Sequence, residues 1–146
     1  MNLWPDRKST LFYEQSAVIP YRQIDGELEV LLITTRSNKR WIIPKGLVEP
    51  GLSPAASAAK EALEEAGVAG TLGQKIIGEY AYKKWRGTCH VQVYLLAVTE
   101  VHEQWEEQAF RSRQWLPLRQ AAAAVKSNEL RQILLSLPAT LSSNSC

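Results

Sequence analysis

The chain has 146 residues, 45% hydrophobic and 22% charged, with a formal net charge of +2 at neutral pH. That is the make-up of one globular domain with a sizeable core, and a charge this small gives by itself no argument for nucleic acid or a membrane surface. The two cysteines, Cys89 and Cys146, form neither a disulfide framework nor a zinc-ligand spacing. A reducing, cytoplasmic setting is therefore expected. The N-terminal MNLWPDRKSTLF lacks the apolar segment of a secretory signal, and no apolar run approaches the ~20 residues of a membrane span.

Residues 1–10 are polar with a proline and are expected to form a loose arm. Ser16–Arg22 reads as a strand in which Pro20 suggests an edge or a bulge. Asp25-Gly26 marks a hairpin turn, and Leu28–Thr35 is β-branched and apolar enough for a buried strand. A polar turn at Ser37–Arg40 leads to a short strand at Trp41–Ile43, stopped by Pro44. A helix over 54–66 follows. Its signals are Ser53 as N-cap, Pro54 in the first helical position and Gly67 as a left-handed C-cap. Gln74–Lys83 and His90–Thr99 read as strands flanking a basic loop around Trp85 and Arg86. Gln114–Leu116 reads as one more strand. Leu118–Val125 and Asn128–Leu137 read as helices, and 138–146 as a loose tail. One domain over 1–146 is expected, of the α+β class, with a mixed sheet and helices on its faces.

The central helix is the informative element. At ~100° per residue, Ala56, Ala59, Leu63 and Ala66 fall on one side and Glu61, Glu64 and Glu65 on the other. The carboxylates are spaced i, i+3, i+4, so their side chains converge. Local electrostatics disfavour this: the Glu61/Glu65 pair costs roughly 0.2–0.5 kcal/mol. Glu64 and Glu65 also sit at the negative end of the helix dipole, at a further ~0.3–1 kcal/mol each. Broken local rules without structural gain mark function. A Mg²⁺ or Mn²⁺ ion reverses the sign of the problem, since such a cation takes oxygen ligands and is completed by substrate phosphates. The alternative is a solvated acidic face. The Pro-Lys-Gly turn at 44–46 and the alanine-backed helix argue against it.

Gly46, Glu61, Ala62, Glu64, Glu65, Gly67 and Val68 together resemble the Nudix box: Gly, five residues, Glu, seven residues, Arg-Glu-apolar-any-Glu-Glu-any-Gly-apolar. Two positions depart from it. Leu52 stands in place of the first Glu, and Lys60 in place of the Arg. WIIPKG at 41–46 and VYLLAVTEVHEQWEE at 93–107 are similar to Nudix hydrolases of the diphosphoinositol polyphosphate and diadenosine polyphosphate branch. The resemblance covers roughly 15–137. It implies the Nudix fold, a mixed β-sheet sandwiched between α-helices, and metal-dependent hydrolysis of a diphosphate linked to another group.

Carried onto this chain, the resemblance makes Glu61 and Glu65 the main ligands of a Mg²⁺ or Mn²⁺ ion. Glu64 becomes a ligand or the water-activating base, and a backbone carbonyl at Lys45 or Gly46 completes the shell. Lys60 is expected to orient Glu61, although it lacks the planar fork of an arginine. Leu52 is expected to weaken metal binding. Candidate phosphate contacts are Lys45 and Arg36, then Lys39, Arg40, Lys83 and Arg86, with Lys84 in the same loop. Tyr82 and Trp85 are candidates to stack on a base, or else rim aromatics. Trp41 and Trp115 are expected in the core. The implied partner is a small phosphoanhydride: a dinucleoside polyphosphate, somewhat favoured because Glu14 and Gln15 replace basic residues of inositol-type enzymes, or a diphosphoinositol polyphosphate. A nucleic-acid partner is not expected, nor a membrane, and the state is a monomer or homodimer. Competing readings are a nucleotide-sensing Nudix module that has lost catalysis, and RNA 5′-pyrophosphate removal.

Overall fold

A computed structural model describes residues 11–37 and 39–144. Eight strands form one sheet: β1 (Phe12–Ile24), β2 (Glu27–Thr34), β3 (Trp41–Ile42), β4 (Lys45–Leu47), β5 (Val68–Leu72), β6 (Gly78–Lys84), β7 (Gly87–Val101) and β8 (Arg113–Pro117). The order along its main path is β3-β2-β1-β7-β5, with β4 joined to β1, β6 to β7 and β8 to β2. β1 and β7 run parallel from Phe12↔Thr88 to Tyr21↔Ala97. Every other named pairing is antiparallel. The sheet is therefore mixed, as expected.

Alternation along the central strands builds two cores. Ala17, Ile19, Leu32, Val93 and Leu95 face one side, where α2 (Leu118–Ala124), α3 (Asn128–Leu135) and α4 (Leu137–Asn144) supply Ala121, Leu130, Leu134 and Leu137. Val18, Leu31, Ile33 and Leu96 face the other side, against α1 (Pro54–Glu61) and the turn of π-helix that continues it through Ala62–Ala66.

Several elements differ from the sequence expectation. β1 is longer than Ser16–Arg22 and lies inside the sheet, not at an edge. Pro20 is tolerated because pairing with β4 stops at Ala17 and pairing with β2 starts at Tyr21, so its missing N–H falls in the gap between them. The buried stripe of α1 is Ala55, Ala58, Ala62 and Ala66, not the stripe through Ala56, Ala59 and Leu63; Leu63 is 45% exposed. Alanines stand on both sides of this helix, so their pattern leaves its phase open. β4 and β5 were not expected at all. The segment expected as a loose tail from 138 is helical through Asn144. Leu137 is fully buried and Leu141, one turn on, packs against the same core. The expected N-terminal arm at 1–10 lies outside the described residues.

Candidate active site

The site forms where β4 meets the end of α1. The pairing of β4 with β1 sets Gly46 opposite Ser16. The Ser53 hydroxyl accepts from the Ala56 N–H at 3.1 Å and starts the helix as predicted. Ser57 ties the preceding loop to it, accepting from the Glu49 N–H at 3.0 Å and donating to the Leu47 carbonyl at 3.4 Å. This anchorage presses the glycine against the helix. A Cβ at Gly46 would stand 2.9 Å from Oε1 of Glu61 and nearer still to two other atoms of that carboxyl. Only glycine leaves Glu61 its place.

Glu61 and Glu65 converge and Glu64 does not join them. Glu65 is 6% exposed, accepts the Lys45 N–H at 3.2 Å and has the Arg111 guanidinium at 3.6 Å. Burial pushes its carboxyl up to about 8, against the pull of Arg111, and the facing Glu61 pushes the same way. Burial raises Glu61 too; its hydrogen bond with Glu65 works against this, and Glu64 and Glu107 add to it. Two carboxylates this close disfavour being ionised together, which is the direction in which both are pushed. Glu64 turns to Lys60 at 3.1 Å, and Lys60 also reaches Glu49 at 2.9 Å. Lys60 thus orients Glu64 and Glu49, not Glu61 as expected. Among the described residues, no three His, Cys, Asp or Glu side chains gather into a metal cage. A facing pair of hard oxygen donors on the cleft wall still fits Mg²⁺ or a similar ion, which takes one or two carboxylates and keeps room for water and phosphate.

The segment after β7 fixes the carboxylate turn from behind. The Glu107 N–H donates to the Glu64 carbonyl at 3.0 Å and the Trp105 indole N–H to the Glu65 carbonyl at 3.0 Å. Arg113 donates to the Ala66 carbonyl at 2.8 Å, with its guanidinium stacked 3.9 Å from the Trp105 ring. These donors satisfy carbonyls that a helix end leaves open. Gly67 closes the turn with φ +68°, and a side chain there would strike Trp105 and Arg113. Arg111 is the arm reaching the site: it donates to Glu107 at 2.8 Å and to the Thr34 carbonyl at 2.9 Å. No sequence spacing announces Arg111, Trp105 or Arg113 as partners of the helix, because they arrive from some 40 residues away.

A cleft of about 820 Å³ opens in front of the pair. Glu61, Glu65, Gly46, Lys45 and Arg36 line it, together with Lys84, Trp85, Tyr82 and Arg111. Lys45 lies 5.3 Å from the Tyr82 ring, and burial lowers its ammonium. Other predicted cations lie elsewhere. Lys39 donates to the Phe110 carbonyl at 3.2 Å, Lys83 to the Thr88 hydroxyl at 3.2 Å, and Arg40 lines a neighbouring hollow. Arg86 is not on the cleft wall; it is the second residue of a hairpin turn in which Trp85 and Arg86 both have left-handed φ, +55° and +58°. The two-residue period of a strand puts Lys84, not Lys83, on the face of Tyr80 and Tyr82. Leu52 is 38% exposed and away from the cleft, whereas Glu49 lines it.

The model of the NUDIX domain matches residues 13–137. The chain belongs to the Nudix family. It is 35% identical over 121 residues to the Bos taurus protein named diphosphoinositol polyphosphate phosphohydrolase 3-beta, covering 81% of this chain and 72% of that one. It is 37% identical over 122 residues to diphosphoinositol polyphosphate phosphohydrolase 2 of Rattus norvegicus, covering 81% of this chain and 65% of that one. Both relatives are thus longer than the part matched. Among solved structures, an Ap4A hydrolase of C. elegans superposes with a TM-score of 0.75 at 22% identity, covering 90% of this chain and 99% of that one. At that identity the likeness carries the fold alone. The Nudix fold implied by the box is thus the fold found, and the family and the relatives' names make the chain a Nudix hydrolase.

Proposed function

We propose that this Nudix hydrolase is a Mg²⁺- or Mn²⁺-dependent pyrophosphohydrolase of a substrate in which a polyphosphate chain joins two larger groups, a dinucleoside polyphosphate before a diphosphoinositol polyphosphate. The observation carrying this reading is the Glu61/Glu65 pair, seated on Gly46 and facing a cleft lined by Lys45, Arg36, Lys84 and Arg111. Glu61, Glu65 and a backbone carbonyl at Lys45 or Gly46 would hold the cation. When bound, it neutralises phosphate oxygens and makes water a better nucleophile.

The chain's own residues do the rest. Lys45, Lys84 and Arg36 bind the phosphates and fix a phosphorus before the carboxylates, and positioning of this kind supplies much of the rate in phosphoryl transfer. Water attacks that phosphorus; a new P–O bond forms and the bridging P–O bond breaks, leaving two phosphate-bearing products. The water's proton goes to a carboxylate oxygen of Glu61 or Glu65. Glu64, paired with Lys60, serves to hold the turn. On the substrate side, Glu14 and Gln15 bring no positive charge to the first strand, and Gln15 is occupied by the Tyr82 hydroxyl at 2.7 Å. This favours the nucleotide over the inositol substrate.

The test is phosphate and nucleotide release from diadenosine polyphosphates, nucleotide sugars and inositol pyrophosphates, with Mg²⁺ or Mn²⁺ and with chelator. Turnover that depends on the cation and falls by orders of magnitude in folded Glu61→Gln and Glu65→Gln variants is expected. Near-normal turnover in either variant rejects the assignment.

A further inference from the structure

Arg22, Arg111, Arg113 and Arg131 each donate to a carboxylate or a carbonyl within the fold. Arg36, on the wall of the catalytic cleft, is held differently. Its N–H groups meet no acceptor among the described residues, and what it touches is a ring. The guanidinium lies over Phe110, 4.3 Å from the ring centroid. Phe110 comes from the segment between β7 and β8 and is 45% exposed, so it fills no core.

The backbone under this contact is tied down on both sides. The turn carrying Arg36 closes on itself: the Thr35 N–H donates to the Arg40 carbonyl at 2.8 Å, and the Arg40 N–H to the Thr35 hydroxyl at 3.1 Å. The segment carrying Phe110 is strapped to the same strand end. The Ser112 N–H donates to the Thr34 hydroxyl at 2.9 Å, and the Thr34 N–H to the Ser112 carbonyl at 3.0 Å. Phe110 also separates the two cations of the turn. Its carbonyl accepts from the Lys39 ammonium at 3.2 Å, while its ring takes the face of Arg36. A guanidinium donates in its plane and meets an aromatic ring through its face, so the stack leaves the donor edge free. An exposed arginine loses much rotamer freedom when a ligand fixes it. A ring already under the guanidinium removes part of that freedom before the ligand arrives.

We propose that Phe110 is a positioning residue for the polyphosphate chain: it holds Arg36 by the face and leaves its edge to grip two oxygens of one phosphate group in the cleft. Arg36 suits such a two-point grip because its planar fork matches phosphate. The inference rests on the hydrolase reading above for the nature of the ligand.

Binding is measured apart from turnover, by calorimetry with inorganic tripolyphosphate in chelator. Phe110→Ala is expected to weaken tripolyphosphate about two- to fivefold, the worth of one exposed cation–π contact. Phe110→Tyr is expected to restore native affinity. Phe110→Leu, apolar but without the negative ring face, is expected to stay weak. The loss must run through Arg36: Arg36→Ala alone weakens binding at least as much, and adding Phe110→Ala to it changes nothing further. The proposal is overturned by native affinity in Phe110→Ala, Phe110→Leu or Arg36→Ala, by failure of Phe110→Tyr to restore binding, or by an equal loss from Phe110→Ala with and without Arg36. Coupling of the two residues without cation-dependent hydrolysis of any substrate would keep the positioning role and reject the hydrolase reading. Hydrolysis without coupling would do the reverse, so the two failures are distinguishable.

Discussion

Replacing Gly46 by alanine isolates the contact on which the carboxylate pair depends. The backbone there is in a region open to any residue, and β4 pairs normally with β1, so alanine has no conformational objection. Its methyl group, however, would lie 2.9 Å from Oε1 of Glu61 and closer to the rest of the carboxyl, where ordinary contact begins at 3.4 Å. The carboxyl must retreat by 0.5 Å at that oxygen (3.4 − 2.9) and further at the other atoms, about 1 Å overall. A misplacement of that size costs about 10²-fold in rate. The lost backbone entropy of the unfolded chain meanwhile stabilises the fold by about 0.4–1 kcal/mol. We therefore expect Gly46→Ala to keep or raise the melting temperature while turnover of diadenosine tetraphosphate falls about a hundredfold. Turnover within about threefold of the native value would show that Glu61 does not need the place it occupies, and the argument for the pair would fall with it.

Arg111 is 10% exposed and splits its guanidinium among Glu107, the Thr34 carbonyl and Glu65. Arg111→Met leaves those acceptors unpaired and should lower stability by about 1–3 kcal/mol in chemical denaturation, with turnover at least tenfold lower. Arg111→Lys should recover little of either, because an ammonium cannot serve three acceptors in that fork geometry; full recovery would show that charge alone matters. Ser16 carries the one buried side-chain oxygen without a partner among the described residues. Ser16→Ala should accordingly be neutral or stabilising, and a loss above about 1 kcal/mol would mean that the hydroxyl is satisfied after all. His90 lies between Glu14 at 3.1 Å and Glu79 at 2.6 Å, tying β1 to β6, and these acids, Glu14 first, raise its ring above the ordinary histidine value. The folded state therefore binds the proton more tightly than the unfolded chain. The gain is fully present below about pH 6.5 and disappears as pH rises through the raised value. The melting-temperature advantage of the native protein over His90→Gln should be largest near pH 6 and shrink as pH rises above it; an advantage that does not change with pH contradicts the assignment.

What the sequence determined by itself was local. Ser53, Pro54 and Gly67 delimit the helical segment because caps act through their immediate neighbours, and Asp25-Gly26 makes its hairpin turn for the same reason. The spacing of Gly46, Glu61, Glu64 and Glu65 was enough to resemble the Nudix box, hence the family and fold. Tertiary structure decided everything that depends on bearing and distance. It set the phase of α1, which alanines on both sides left open. It divided the three acids into a converging pair and a Glu64 held by Lys60, because the π-helical turn and the close glycine redirect them. It made Pro20 a residue of the sheet interior, brought Arg111, Trp105 and Arg113 to the helix end, and chose Lys84 over Lys83 for the cleft. Caps and turns are fixed within a few residues, so a linear reading finds them; a site is fixed by which surfaces pack together, and that information is spread across the whole chain.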